Sequence, residues 1–168
     1  NVGKSKVACM RDRILEIDPD CRVYIHEMFY SEQTQAAIDL AGMDYVADAI
    51  DSMRSKILLI QNAYNAGTPV ISAMGAGNKL DPTAFVVTDL SKTSGDGLAR
   101  VMRRELRARG ITHHRVLYST EPVRTPLPLE APPEGKRSLP GSVSWVPSCA
   151  GLMLAGDVIL HLAGPLPE

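Results

Sequence analysis

Cysteine is scarce in this chain, and its spacing is wrong for cross-linking. Of 168 residues only Cys9, Cys21 and Cys149 are cysteine. An odd count without a C-x-x-C pair argues against a disulfide framework and a zinc knuckle, and leaves three reduced structural thiols as the simplest reading. The four histidines (His26, His113, His114, His161) form no H-E-x-x-H or similar pattern, so they supply no basis for a metal site. No apolar run approaches the roughly 20 residues that cross a bilayer. The opening NVGKSKVACMRDR has no signal-peptide core. These absences lead to the expectation of a cytosolic protein with no membrane partner. Internal repeats are lacking too, as are G-x-G-x-x-G and G-x-x-x-x-G-K-[ST] phosphate loops. Gly75-Ala76-Gly77 follows a strand-like run, but Leu80-Asp81-Pro82 comes next where a helix should begin; a dinucleotide or P-loop reading of it is weak.

The chain does have enough apolar residues, 45% of the total, for one domain with a real core spanning 1–168. Its charge is unevenly spread. Residues 1–90 carry 8 Lys and Arg against 12 Asp and Glu, while residues 91–168 carry 10 against 7. The excess sits in ARVMRRELRARG, with Arg100, Arg103, Arg104, Arg107 and Arg109. A solvated helix face is the default explanation, and an anionic partner such as RNA is the sharper one.

Hydrophobic spacing predicts alternating elements. Val7, Met10, Ile14 and Ile17 share one helical face, so a helix is expected from Gly3 to Ile17, stopped by Asp18-Pro19-Asp20. CRVYIHEMF (21–29) alternates like a strand, and Ser31 reads as the cap of a short helix ending at Gly42. YVADAI (45–50) is a predicted strand, 52–66 a helix closed by Gly67, and PVISAMG a further strand. AFVVTDL (84–90) and RVLYST (115–120) are strands flanking a basic helix from Leu98 to Arg109. Residues 121–142 are proline-rich and read as an irregular loop or lid. VSWV (143–146) is a predicted short strand, and PSCAGLMLAGDVILHLAG a closing helix. Such alternation argues for a parallel sheet with helices on both faces.

In such sheets ligands bind beyond the carboxyl ends of the strands. Asp51 is expected at that end of YVADAI, where the next helix begins. Asp48 lies three positions earlier, so the two carboxylates point to opposite faces and are not an acid–base pair. Asp48 is expected to bond a neighbouring loop or helix. Asp51 and Ser52 read equally well as helix caps. Lys6, in the first turns of the opening helix, is by default a surface lysine.

Several stretches together carry a resemblance: NVGKSKVACMRDRILEIDPDCRV, YVADAIDSMRSKILLI, ISAMGAGNKLDPTAF, LSKTSGDGLARVMRRELRARGI, VLYSTEP and GSVSWVPSCAGLMLAGDVI. They resemble the ThiF/MoeB/HesA group of the ubiquitin-activating-enzyme-like superfamily, and within it the branch of tRNA threonylcarbamoyladenosine dehydratases. The resemblance implies an α/β, Rossmann-like domain, mostly parallel, usually homodimeric and ATP-dependent. It also implies a tRNA substrate whose threonylcarbamoyl carboxylate is activated before ring closure. Carried over by motif, Lys6 of VGKSKV matches the family lysine on ATP phosphates. Asp51 of DAIDS matches the aspartate associated with Mg²⁺ and nucleotide, and Ser52 lies beside it. Arg103, Arg104 and Arg107 become the candidate RNA contacts. The family's glycine-rich loop, ribose-binding aspartate and arginine motif are expected upstream of Asn1, so that the first β-loop-α part is missing from these residues. Gly97 stands where the branch commonly has proline, and Cys149 reads as a packing residue. Within the superfamily the rival reading is an adenylyltransferase for a ubiquitin-like sulfur carrier, with a sulfur acceptor or cysteine desulfurase as partner. Such enzymes commonly carry C-x-x-C pairs, which this chain does not have. A non-catalytic dimerisation or RNA-binding remnant is the third reading.

Overall fold

In the sheet, residues alternate between two cores. Val116 and Tyr118 face one side and Leu117 the other, as a period of two requires. The computed structural model describes residues 1–125 and 140–164. Most of the proline-rich segment, 126–139, lies outside the described residues.

The chain divides into two compact units, Asn1–Ala36 and Ala37–Glu168. The first contains helix α1 (Lys6–Ile17), as its apolar spacing predicts. Its C-cap Asp18 turns extended, at φ −136° and ψ 98°, just ahead of Pro19. The strand expected over 21–29 does not form. Its alternation survives as half-buried Val23 and Ile25 between exposed Tyr24 and His26. No described strand pairs with it, and alternation reports an extended backbone, whereas a strand also needs a ladder partner. The helix expected from Ser31 is a turn. The Ser31 amide donates to Thr34 Oγ1 at 2.9 Å, and only a short 3-10 turn, Gln35–Ala37, follows. Hydroxyl groups that bond nearby backbone compete with helix in this way.

The second unit holds the sheet. β1 (Val46–Asp48) leads into α2 (Met53–Ala66), β2 (Val70–Ala73), β3 (Phe85–Asp89), α3 (Gly97–Arg107), β4 (Arg115–Ser119) and α4 (Trp145–Ala163). Spatial order is β1-β2-β4-β3. The β1–β2 and β2–β4 pairs are parallel, and β3 runs antiparallel at the edge. α2 and α3 cover one face through Ile57, Ile60, Met102 and Leu106. α4 covers the other through Val146, Ala150 and Leu154, packed with Ile71, Phe85 and Leu117. This is the mostly parallel α/β sheet with helices on both faces that the alternation predicts.

Helix ends follow local chemistry. Ser52 caps α2 by accepting the Ser55 amide at 3.4 Å, and Gly67 closes it in the left-handed region at φ 74°. Asp96 caps α3 by accepting the Ala99 amide at 2.8 Å. α4 begins at Trp145, inside the stretch expected to be a strand. Pro147 falls in its first turn, where a missing amide hydrogen costs nothing, so the helix starts before the proline. The earlier start gives α4 19 residues, and it is the one helix among the described residues long and apolar enough to cross a membrane. Its inner face is committed to the sheet, and Asp157 on it accepts Arg115 Nε of β4 at 2.7 Å.

Candidate nucleotide site at the strand ends

A crevice of about 280 Å³ opens at the carboxyl ends of β1 and β2. The residues just after β1, Ala49, Ile50 and Asp51, form one wall. The run Ala73-Met74-Gly75-Ala76 after β2 forms another. Ala150 and Gly151 of α4 close it with side chains too small to fill it. That is where an open α/β sheet binds ligands.

Asp51 is exposed at this rim, three residues past the end of β1 and immediately before the α2 cap. The amino end of α2, where the helix dipole is positive, lies beside it. A mobile anion such as a phosphate is favoured at such a position. Ser52 is exposed as well, and its hydroxyl serves as the α2 cap. Lys6 belongs to the N-terminal unit, where it opens α1 and is exposed.

Asp48 takes the other direction. It is the last residue of β1, fully buried, and points into the scaffold. Its Oδ2 accepts Lys56 Nζ at 2.7 Å and the Ser72 hydroxyl at 2.6 Å. Its Oδ1 accepts the Ile50 amide at 2.9 Å. Lys56 is only 1% exposed and donates a second bond to the Ala73 carbonyl at 3.0 Å. Because Ser72 gives its proton to Asp48, its oxygen is left to accept from His114 Nε2, 2.9 Å away. That fixes the tautomer of His114. The buried Nδ1 then carries a lone pair with no partner among the described residues. Burial, reinforced by the nearby Lys56 charge and opposed by the carboxylates of Asp48 and Asp89, pushes the His114 pKa down to about 4.

The strand expected over 45–50 ends at Asp48, so the opposite-face argument for Asp48 and Asp51 does not apply. Asp48 is buried and Asp51 exposed beyond the strand, and sequence reasoning missed Lys56, Ser72 and His114. One signal was present: Lys56 heads KILLI, a run too apolar to be a solvent face.

The basic helix α3 divides its arginines. Arg103 is half-buried, donating to the Thr93 carbonyl at 2.8 Å and to the Thr93 hydroxyl. Arg104 pairs with Glu105 at 2.9 Å, and Arg109 reaches the same carboxylate. Arg100, Arg103, Arg104 and Arg107 line a shallow cleft of about 460 Å³. The loop Gly75–Asp81 is held from two sides. Asn78 Oδ1 accepts the Gly141 amide at 2.6 Å, and Glu121 accepts the Leu80 and Asp81 amides, each at 2.9 Å. The Asp81 amide and Arg124 hold the Glu121 carboxyl below the usual range.

No group of three or more His, Cys, Asp or Glu side chains suitable for a metal occurs among the described residues. A lone, exposed carboxylate fits Mg²⁺, which uses one or two carboxylates and takes its remaining ligands from phosphate and water.

Comparison with known proteins shows the family and the fold. The ThiF family profile matches residues 1–167. A tRNA threonylcarbamoyladenosine dehydratase of Bacillus subtilis is 39% identical over 173 residues, covering 96% of this chain and 67% of its own length. The solved structure of TcdA (CsdL) superposes with a TM-score of 0.83 at 31% identity, over 97% of this chain and 66% of that one. The Escherichia coli tRNA N6-threonylcarbamoyladenosine dehydratase, solved with AMP and with ATP, gives TM-scores of 0.79 and 0.71 at 31% and 30% identity. Those comparisons cover 98% and 95% of this chain and 68% of each solved chain. The chain thus spans about two thirds of the length of these relatives. With a profile match running through both units and a sheet that superposes on the solved enzymes, the chain belongs to the ThiF family.

Proposed function

We propose that the protein is an ATP-dependent tRNA threonylcarbamoyladenosine dehydratase. The observation that carries this reading is the crevice at the strand ends with Asp51 on its rim, in a chain that matches such a dehydratase over 96% of its length. A carboxylate is a poor electrophile. In the proposed reaction the threonylcarbamoyl carboxylate attacks the α-phosphorus of ATP and pyrophosphate leaves. A nucleophilic atom of the neighbouring carbamoyl group then attacks the acyl carbon, loses its proton, and AMP departs with the former carboxylate oxygen. The net change in the nucleoside is the loss of one water and the closing of a ring.

In this scheme Asp51 and the amino end of α2 receive the triphosphate and Ser52 borders the nucleotide; for Lys6, in the N-terminal unit, a role toward ATP phosphate is proposed on the resemblance of its motif alone. Mg²⁺, held through Asp51, would supply charge neutralisation at the phosphates. Arg104 and Arg107 of α3 are the proposed contacts to tRNA phosphates. Arg103, committed to the Thr93 backbone and hydroxyl, acts there chiefly by shaping the cleft. We place the enzyme in the cytosol as a homodimer.

Mass spectrometry of tRNA carrying threonylcarbamoyladenosine, incubated with the protein and ATP, tests the reading. The expected product is the cyclic nucleoside, one water lighter, formed with release of AMP. Arg104→Ala with Arg107→Ala should weaken tRNA binding and flatten its salt dependence, since each phosphate no longer neutralised takes about one unit off the slope. An adenylate on a sulfur-carrier protein, with tRNA unchanged, would replace this function by the rival one. No ATP turnover on either substrate would favour the non-catalytic remnant.

A further inference from the structure

Two charged groups near the crevice have no place in the proposed reaction. Asp48 and Lys56 form a buried ion pair, at 0% and 1% exposure, directly behind the turn that carries Asp51. Such a pair is costly to bury, and an apolar pair of similar volume often serves stability as well or better. Its bonding therefore needs another account. Asp48 Oδ2 is occupied by Lys56 and Ser72, which leaves Oδ1 aimed at the Ile50 amide. Ile50 is the residue before Asp51. Lys56 in turn joins Asp48 of β1 to the Ala73 carbonyl at the end of β2, so one cation ties together both strand ends that wall the crevice. His114 Nε2, donating to Ser72 Oγ, leaves the Ser72 hydroxyl proton for Asp48.

We propose that Asp48, locked by Lys56 and Ser72, is a positioning residue. By accepting the Ile50 amide it holds the turn from β1 to α2 in the one conformation that presents Asp51 to the nucleotide. The proposal rests on the reading of Asp51 as the nucleotide-facing carboxylate.

Two uncharged double variants separate positioning from mere stability. Asp48→Leu with Lys56→Met removes the ion pair and the acceptor for Ile50. Asp48→Asn with Lys56→Met removes the ion pair but retains an amide oxygen for Ile50. In the first, hydrogen exchange at the amides of residues 50–52 should rise by roughly tenfold or more while α3 and β4 amides keep their protection. Turnover should fall by roughly tenfold or more, since small displacements at a reacting centre are costly. In the second, both quantities should stay within about threefold of the parent protein. In an Asp51→Ala background the first pair should weaken ATP binding no further. Equal behaviour of the two doubles, unchanged exchange at Ile50, or a loss that adds fully to Asp51→Ala would overturn the proposal. Should the Leu/Met double fail to fold, Ser72→Ala, which frees one bond to Oδ2 and keeps the ion pair, must show the same local exchange pattern at smaller amplitude, and its absence counts against the proposal equally. Full activity of Asp51→Ala alone would instead remove the reading of the site, while the exchange result would still report on the turn.

Discussion

His114 carries a consequence of burial that can be measured directly. Its folded pKa of about 4 lies below the ordinary value of 6.5. Between those values the unfolded chain binds a proton that the folded chain refuses. The contribution to stability is therefore complete above pH 6.5 and is lost as pH falls toward 4, amounting to about 3 kcal/mol across that window. Urea unfolding at pH 7 and pH 4 should show this loss in the parent protein and a much smaller one in His114→Leu, where nothing titrates at the site. Equal acid sensitivity of the two would mean that His114 is not held neutral by burial. At this scale the position of Asp51 just beyond a strand end and just before a helix was legible in YVADAIDS, but strand alternation is not what separates the two aspartates: β1 ends at Asp48, which is buried, and Asp51 lies exposed three residues further on. Their partners were not legible. Ser72 and His114 stand 24 and 66 residues from Asp48 in the sequence, and only the pairing of β1 with β2 and of β2 with β4 brings them together.

Among the elements, α3 offers a clean case of local chemistry. Gly97 is its first residue and follows the extended cap Asp96, at φ −100° and ψ 120°. A side chain there would meet nothing within 4 Å. Proline suits the first helical position, and the extended cap is the backbone that proline prefers before it. Gly97→Pro should therefore stabilise the protein by about 0.5–1 kcal/mol, through a less flexible unfolded chain. Calorimetry should show a rise in Tm of about 1–4 °C; a fall would mean that the start of α3 is strained. The elements that sequence reasoning found share one property: both their periodicity and their end signals are local. α2 has its Ser52 cap and Gly67 stop, and α3 has Asp96. Those it misread depended on something else. Residues 21–29 have the alternation of a strand, but a strand exists only where a neighbour completes the ladder. Residues 143–146 have the apolar content of a strand, but Pro147 just after them is compatible with a helix that has already begun, because its ring sits in the first turn.

At the scale of the whole molecule, charge and apolar surface are unevenly distributed over the helices. Arg100, Arg104 and Arg107 face outward from α3, whose inner residues Ala99, Met102 and Leu106 are buried in the core. α4 likewise presents Leu152, Ile159, Leu160 and Leu162 outward, each more than half exposed, while its other side closes the crevice. A mostly parallel sheet with helices on both faces was foreseeable from the alternation of elements; the strand order β1-β2-β4-β3 and the antiparallel edge strand β3 were not, because the connection from β2 through Gly75–Ala84 contains no crossover helix to announce its direction. Everything proposed for the chemistry converges on Asp51 at the mouth of that sheet. The most direct test is a calorimetric titration of the protein with ATP, with and without Mg²⁺, beside Asp51→Ala. The account predicts binding that Mg²⁺ strengthens in the parent protein, and a variant that keeps its fold but binds Mg-ATP at least about tenfold more weakly and no longer responds to Mg²⁺. Equal affinity and an equal Mg²⁺ response in the two proteins would contradict it.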